Sequence, residues 1–195
     1  MITRINVLDD NADYGKVCEI INRSQKAETE TRNVLYNTHG MTPSRLAEEL
    51  IEKGGKCICL YDGPDMAGTL SVFPDKKEKW YSDGKDDIVI KYVAVSPEYQ
   101  GKNIATMLLD FVKNMGHTVI SVSTGEKNRH AIHLYEKNGF ILVDVSRGRI
   151  NNSCKYVYWK DGCPIASGKI KAHIAEARVK CFIKRYLTEP LSKKK

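Results

Sequence analysis

The sequence has no C-x-x-C pair and no histidine cluster beside its cysteines, which removes the commonest spacings for a structural zinc site. Its six cysteines, Cys18, Cys57, Cys59, Cys154, Cys163 and Cys181, are scattered. Cys57 and Cys59 stand two apart in a β-like run, so they share one face of a strand. Reduced thiols and no metal are expected. No apolar run approaches the roughly 20 residues that span a bilayer, and the opening MITRINVLDD lacks the apolar core of a signal peptide. A cytoplasmic chain with no membrane partner is expected. There is no internal repeat and no linker rich in Pro, Gly or Ser. With 195 residues and 42% hydrophobic content, the chain can bury a sizeable core as one enzyme-sized domain. The layout expected is a domain over residues 1–160, followed at 161–195 by an amphipathic helix and a basic tail.

The net charge of +7 comes without stacked aromatics or a nucleic-acid motif. Charge alone gives only non-specific attraction, so no nucleic-acid partner is expected. Much of the excess lies in the last third, where Lys169 to Leu187 has a helical apolar pattern of Ile174, Val179, Phe182, Ile183, Tyr186 and Leu187. That face must pack either on the domain's own sheet edge or on a second subunit, which leaves a homodimer open.

What the chain does have is concentrated at residues 88–105, IVIKYVAVSPEYQGKNIA. Ile88, Val89, Ile90, Val93, Ala94 and Val95 form a β-rich run that reads as a buried strand. Ser96 and Pro97 end it. Gln100, Gly101, Lys102, Asn103, Ile104 and Ala105 then offer successive backbone N–H groups, small residues and one cation at a helix start, an arrangement suited to phosphate. Apolar residues at Met107, Leu108, Phe111, Val112 and Met115 carry the helix to about Gly116.

The segment VAVSPEYQGKNIATMLL resembles the acyl-CoA pyrophosphate loop of the GCN5-related N-acetyltransferases, the GNAT superfamily. In that family the loop reads Gln or Arg, two residues, Gly or Ala, one residue, Gly or Ala. Gln100, Asn103 and Ala105 fill those places here, and Asn103 departs from the usual Gly, although Asn tolerates left-handed backbone better than other residues. A second segment, NRHAIHLYEKNGFILVD at 128–144, is similar to the family's later helix: Asn128 opens it, Tyr135 follows seven residues on, and Gly139-Phe140 begins the next strand.

The rest of the chain follows the same order. Ile2 to Val7 reads as a strand, and Tyr14 to about Lys26 as a helix with Val17, Ile20 and Ile21 inward. Residues 27–41 are polar and aperiodic, as in a functional or mobile loop. Thr42 caps a helix with Pro43 at its first position and Leu46, Leu50 and Ile51 inward, stopped at Gly54 and Gly55. Strands at 56–61 and 66–73 flank a turn at 62–65. Residues 75–87 form a charged excursion carrying Trp80 and Tyr81. Strands at 118–123, near 140–145 and at 155–159 complete the β-α-α-β-β-β-α-β-α-β-β order. The fold class is α/β (α+β), a mixed central sheet flanked by helices, with an extra C-terminal helix.

The resemblance implies a GNAT acyl-CoA fold in which the strands at 88–95 and 118–123 splay apart, with acetyl-CoA as acyl donor and no metal. On that reading main-chain groups of Val93 and Val95 pair with the pantetheine arm, and residues 100–106, from Gln100 to Thr106, hold the pyrophosphate. Asn128 bonds the arm or only caps its helix. Tyr135 is the acid that protonates the departing thiolate, its phenol having an ordinary pKa of about 10, or else a packed aromatic on a helix face. Transfer also needs a base, because only a neutral amine attacks. The strand position where many relatives carry a carboxylate has Ile90, Lys91 and Tyr92 here. Glu98, Asp86 and Asp87 read best as solvated charges, His39 as a loop histidine, and His117, His130 and His133 as helix-surface or strand-entry residues. The preferred function is acetylation of a small-molecule amine, with the 27–41 loop and the 75–87 excursion framing the acceptor pocket. The alternatives are a peptide or protein N-acetyltransferase and a non-catalytic acyl-CoA-binding regulatory module.

Overall fold

Alternating apolar strands and one-sided helices build a seven-stranded sheet covered on both faces. The computed structural model describes residues 2, 4–8, 13–32, 40–148 and 151–186, the side chains of 31, 32, 185 and 186 apart. Its elements run β1 (Arg4–Leu8), α1 (Tyr14–Arg32), α2 (Pro43–Lys53), β2 (Lys56–Asp62), β3 (Asp65–Pro74), β4 (Asp87–Val95), a short 3-10 turn (Pro97–Tyr99), α3 (Ile104–Lys113), β5 (Val119–Gly125), α4 (Arg129–Lys137), β6 (Ile141–Ser146), β7 (Ser153–Trp159) and α5 (Ser167–Tyr186). The sheet order is β1-β2-β3-β4-β5-β7-β6. Every neighbouring pair is antiparallel except β4 with β5. This is the expected mixed sheet and element order, last helix included.

Strand alternation divides the core between the two sheet faces, with a third cluster of Tyr81, Val119, Val143, Val157 and Trp159. Ile58, Leu60, Leu70, Ile90, Leu108, Ile120, Tyr135 and Tyr156 belong to the core under α3 and α4. Cys57, Cys59, Phe73 and Ala94 join Val17, Ile21, Leu46 and Leu50 under α1 and α2 on the other face. Cys57 and Cys59 do share a face, beside the hydroxyls of Ser71 and Thr69 at 3.2 and 3.4 Å. The buried interior of β3 reflects cover on both sides. Gly68, in that strand, lets α3 approach: a Cβ there would stand 2.7 Å from Ile104 Cγ2 and 3.1 Å from the Ala94 carbonyl.

Several boundaries differ from the expectations, each for a local reason. Helix α1 does not stop near Lys26 but runs to Arg32, so the first six residues of the expected 27–41 loop are helical. Its continuation lacks apolar periodicity because it is held by polar i,i+4 contacts, Thr29 Oγ1 donating to Gln25 O at 2.9 Å and Lys26 pairing with Glu30 at 3.9 Å. Residues 33–39, and His39 with them, lie outside the described residues. Asn22 pins the returning chain, donating to Met41 O at 2.8 Å and accepting from Met41 N at 2.7 Å. Thr42 caps α2 as expected, but Ile51, expected inward, is 77% exposed. Helix α3 ends at Lys113 with Asn114 closing it, short of Gly116. Asp87, read as a solvated charge, is buried and accepts from Ser82 Oγ at 2.5 Å.

The C-terminal helix lies against β6. Ile170 and Cys181 are buried, Ile174 and Ala177 pack on the core, and the Cys181 thiol donates to Val145 O at 3.6 Å. The apolar pattern named the inward face only in part: Ile174 packs inward, but Val179, Phe182 and Ile183 are 41 to 58% exposed, and Leu187 lies outside the described residues. The 75–87 excursion packs here too, with the Trp80 ring 4.4 Å from His173 and the Trp159 indole N–H donating to Tyr81 O at 3.2 Å. Among the described residues no helix is long and apolar enough to cross a membrane.

Because α3 rests on Gly68, Gly68→Ala is expected to push the helix outward and cost about 1–3 kcal/mol. A thermal melt beside the parent checks this, and an unchanged midpoint would mean that the contact relaxes freely.

Candidate active site

Strands β4 and β5 pair at only four positions, Asp87↔Val119, Ile88↔Ile120, Val89↔Ser121 and Ile90↔Val122. Beyond these each strand keeps its outer partner, β4 with β3 as far as Val95 and β5 with β7 as far as Gly125. The inner edges therefore part, as the resemblance implied. A bulge in β4 accompanies the parting: between the Thr69↔Ala94 and Ser71↔Lys91 pairs the register shifts, and Tyr92 takes φ 54°. Such a bulge bends and twists its strand away from a neighbour.

The bulge is clasped from outside by Glu49 of α2. Its carboxylate accepts from Lys91 Nζ at 2.7 Å, from Lys53 Nζ at 2.7 Å and from the Tyr92 hydroxyl. Burial alone would raise the Glu49 carboxyl, but the three donors reverse this and hold it at about 2. Burial and this bond to Glu49 push the Tyr92 phenol up in return.

Past the strand, Gln100 closes the 3-10 turn, and Gly101 and Asn103 take φ 77° and 60°. Asn103 is thus in the left-handed conformation that its place in the loop required, and the reason it can replace Gly there is its short polar side chain. It makes no side-chain cap to α3, and the first helical bond runs from Met107 N to Asn103 O at 3.0 Å. The N–H groups of the first turn of α3 are left for a ligand by this geometry.

A cavity of about 500 Å³ fills the gap between β4 and β5. Val93, Val95, Gln100, Gly101, Asn103, Ile104, Ala105, Thr106, Asn128 and Tyr135 all line it. Lys102 alone of the expected set does not; its ammonium lies 4.8 Å over the Tyr99 ring. Asn128 caps α4, its Oδ1 accepting from Ala131 N at 3.2 Å, and reaches the wall as well. Tyr135 is 4% exposed, between Phe140 and Tyr156 with ring centroids 5.9 and 6.0 Å away. Its phenol is pushed up by burial and then by the charge of Glu28, so it keeps its proton at neutral pH.

The cavity also has a wall from α1, of which only Glu28 falls within the 27–41 segment expected to frame the acceptor pocket. Ile21, Ser24, Gln25 and Glu28 of α1 line it, from the sheet face opposite α3 and α4. The signal was present: Val17, Ile21, Ser24 and Glu28 follow one another at helical spacing, so the inward stripe turns polar without ending. No residue of the 75–87 excursion lines the cavity. That segment precedes β4, at the opposite end of the strand, which overturns its expected place at the acceptor pocket. Asp86 meets His117 at 2.9 Å, far from the cavity wall. Glu98 accepts from Ser96 Oγ at 2.6 Å and pairs with Arg23, contacts that hold it at about 2. His130 and His133 line the mouth and are exposed. Among the described residues no group of three or more His, Cys, Asp or Glu could hold a metal ion.

Since the folded-state value of Glu49 lies below its ordinary 4.5, the clasp stabilises the protein fully above that pH and its contribution is lost as pH falls toward 2. Unfolding free energies from denaturant titrations above and within this window should fall more for the parent than for Glu49→Gln, by at most about 3 kcal/mol at its acid end. Parallel losses in both proteins would show that other carboxylates carry the acid sensitivity.

Comparison with known proteins agrees with this geometry. The model of the acetyltransferase (GNAT) family matches residues 19–140, which include both signature segments apart from the last residues of the second. The mycothiol acetyltransferase of Propionibacterium freudenreichii subsp. shermanii is 27% identical over 109 residues, 54% of this chain and 33% of that protein. The chain thus spans about a third of the length of the curated relative it matches. Among solved structures, the ribosomal-protein-S18-alanine N-acetyltransferase of Escherichia coli superposes with a TM-score of 0.61 at 18% identity, covering 86% of this chain and 97% of that one. The spermidine N-acetyltransferase of Vibrio cholerae, solved with CoA and spermine, gives 0.56 at 15% identity over 81% and 95% of the two chains. With the family model spanning well over half of the sequence and the same fold in solved acetyltransferases, the chain belongs to the GNAT acetyltransferase family.

Proposed function

We propose that the chain transfers the acetyl group of acetyl-CoA directly to the amine of a small molecule. One observation carries this reading: a single cavity joins an uncapped helix start, parted strand edges and a buried, protonated phenol. The N–H groups of Gln100 and Lys102 donate to Pro97 O and Tyr99 O, each at 3.3 Å, so those of the left-handed Gly101 and Asn103 and of the first turn of α3, Ile104 to Thr106, are the ones that suit a pyrophosphate. Lys102, outside the cavity, adds charge without contact. Beyond Ile90 the β5-facing backbone of β4 has no strand partner among the described residues, so main-chain groups of Val93 and Val95 suit the amides of a pantetheine arm. Asn128 borders the same channel.

The chemistry follows from these placements. The acceptor nitrogen attacks the thioester carbonyl carbon, a C–N bond forms, and the C–S bond breaks. Tyr135 is the group placed to protonate the leaving sulfur. The neutral phenol also avoids burying a charge before the reaction begins. With α1 supplying one wall through Ile21, Ser24, Gln25 and Glu28, the part of this half-open cavity left beside the donor suits a compact acceptor. A small-molecule acceptor also accords with the polyamine present in the Vibrio cholerae structure.

Calorimetry with acetyl-CoA, with dephospho-CoA as control, and a thiol-release screen over amines, amino acids and peptides test the reading together. Acetyl-CoA binding with release driven by small amines supports it; release driven only by peptides points to a protein acceptor, and binding without release to a regulatory module. Tyr135→Phe is expected to lower turnover by about 10²-fold with acetyl-CoA affinity within about twofold. Equal turnover would remove Tyr135 from the acid role. Asn103→Gly should leave acetyl-CoA affinity intact, whereas Asn103→Val, with strain of about 1–2 kcal/mol in the left-handed region, should weaken it. Equal affinities in the two variants would show that the loop conformation does not govern binding.

A further inference from the structure

The family resemblance leaves the proton acceptor without a residue, because the strand position where relatives carry a carboxylate is Ile90-Lys91-Tyr92 here. Both polar side chains of that trio are committed to Glu49, which is not among the residues lining the cavity. Glu98 is fixed by Ser96 and Arg23. Glu28 is the one carboxylate among the described residues that line the cavity. It lies on α1, one helical turn beyond the buried Ser24 and on the same inward stripe as Val17 and Ile21. Helix α1 packs on the sheet face opposite α4, yet Glu28 and Tyr135 line one cavity. The parting of β4 and β5 is what allows this, since it opens a passage through the sheet. Glu28 is close enough for its charge to help hold the proton on the Tyr135 phenol.

The two lining histidines are worse placed. His133 and His130 stand two and five residues before Tyr135 on α4, which turns them about 160° and 140° away from its side of the helix. Both are exposed. Lys91 and Lys137 are cations and would repel an ammonium.

We propose that Glu28 is the catalytic base of the acetyl transfer, entering from the opposite sheet face to bind the protonated acceptor amine and remove its proton. This rests on the acetyl-transfer reading above. At neutral pH an alkylamine is an ammonium, and a half-buried carboxylate attracts that form in preference to a neutral acceptor. One proton passes from nitrogen to the Glu28 carboxylate and on to solvent. The neutral nitrogen attacks the carbonyl carbon, the C–S bond breaks, and sulfur takes the Tyr135 proton. The second proton on nitrogen returns to the Tyr135 oxygen through water, so the products are an amide, a free thiol and one released proton. The acceptor class selected is a cationic primary amine.

The test compares the parent, Glu28→Gln and Glu28→Asp with putrescine, ethanolamine, an amino-acid amide and a peptide bearing a free N-terminus. Thiol release is followed from about pH 6 to about pH 10, a range chosen to span the ionisation of the amines. Glu28→Gln should lower kcat/KM for the amine about 10²- to 10³-fold at neutral pH. The deficit should narrow toward high pH, where the amine is neutral without help, and Glu28→Asp should recover part of the rate. Acetyl-CoA affinity and the thermal midpoint should stay near those of the parent. Full neutral-pH turnover in Glu28→Gln, a deficit constant across pH, or a parallel loss of acetyl-CoA binding would overturn the assignment while leaving the transferase reading intact. A parent that binds no acetyl-CoA, or releases no thiol with any of the amines, overturns both.

Discussion

Four paired positions between β4 and β5, and then none, set the geometry of the molecule. A parallel pair buried between two helical layers would ordinarily continue to the ends of its strands, because unpaired backbone in a dry interior costs free energy. Here each strand keeps its outer partner and gives up only the inner edge. The backbone so exposed faces a cavity, where water or a ligand can satisfy it. The bulge at Tyr92 gives the parting a local cause, and the Glu49 clasp holds that bulge from α2. The left-handed loop, the uncapped helix and the buried phenol all take their positions around the resulting gap.

The charges divide by the same geometry. Two carboxylates away from the gap are held by cationic neighbours, Glu49 by two lysines with a phenol and Glu98 by Arg23 with a hydroxyl, whereas burial raises Asp87, which meets Ser82 and has Lys79 only at 3.9 Å. Glu49 and Glu98 are held in the ionised state, and a carboxyl so stabilised is a poor proton acceptor. A chain of net charge +7 also presents a favourable field to an anionic donor such as acetyl-CoA before any contact forms. Among the described residues that line the cavity, Glu28 is the one carboxylate, beside Lys91, Lys137, His130 and His133.

The loop 100–106 and the helix from Asn128 were legible in the sequence because their geometry is local. A turn that needs left-handed residues announces itself through Gly101 and Asn103, and a cap through Asn128. The sheet order and the parted strands followed only from the resemblance, since strand periodicity says nothing about partners. The last six residues of α1 carry no apolar periodicity and are held by polar neighbours, so they resemble a loop in sequence. The nearness of Glu28 to Tyr135 had no local signature. It depends on two helices on opposite sheet faces meeting through a gap, which no short window of sequence encodes. The buried face of α5 was misjudged for a related reason: Ile170, Ala177 and Cys181 are small or isolated, so the larger Val179, Phe182 and Ile183 dominated the pattern although they face outward.

A raised phenol pKa at first looks unsuited to an acid. A thiol ionises near pKa 8.5 and a phenol near 10, so handing a proton from Tyr135 to a thiolate is uphill by about 2 kcal/mol if each kept its aqueous value. Burial lifts Tyr135 further, which would add to that cost if the sulfur remained in water. In the proposed transfer it does not. The departing sulfur forms in the same enclosed space, where its own anion is equally short of solvent, and desolvation raises the proton affinity of both. The difference between the two groups then stays near its aqueous size, while the alternative, a bare thiolate in a cavity lined by Ile21, Ile104 and Leu134, becomes much more costly. Burial thus weakens Tyr135 as an acid toward water and leaves it competent toward the departing thiolate, which shares its surroundings.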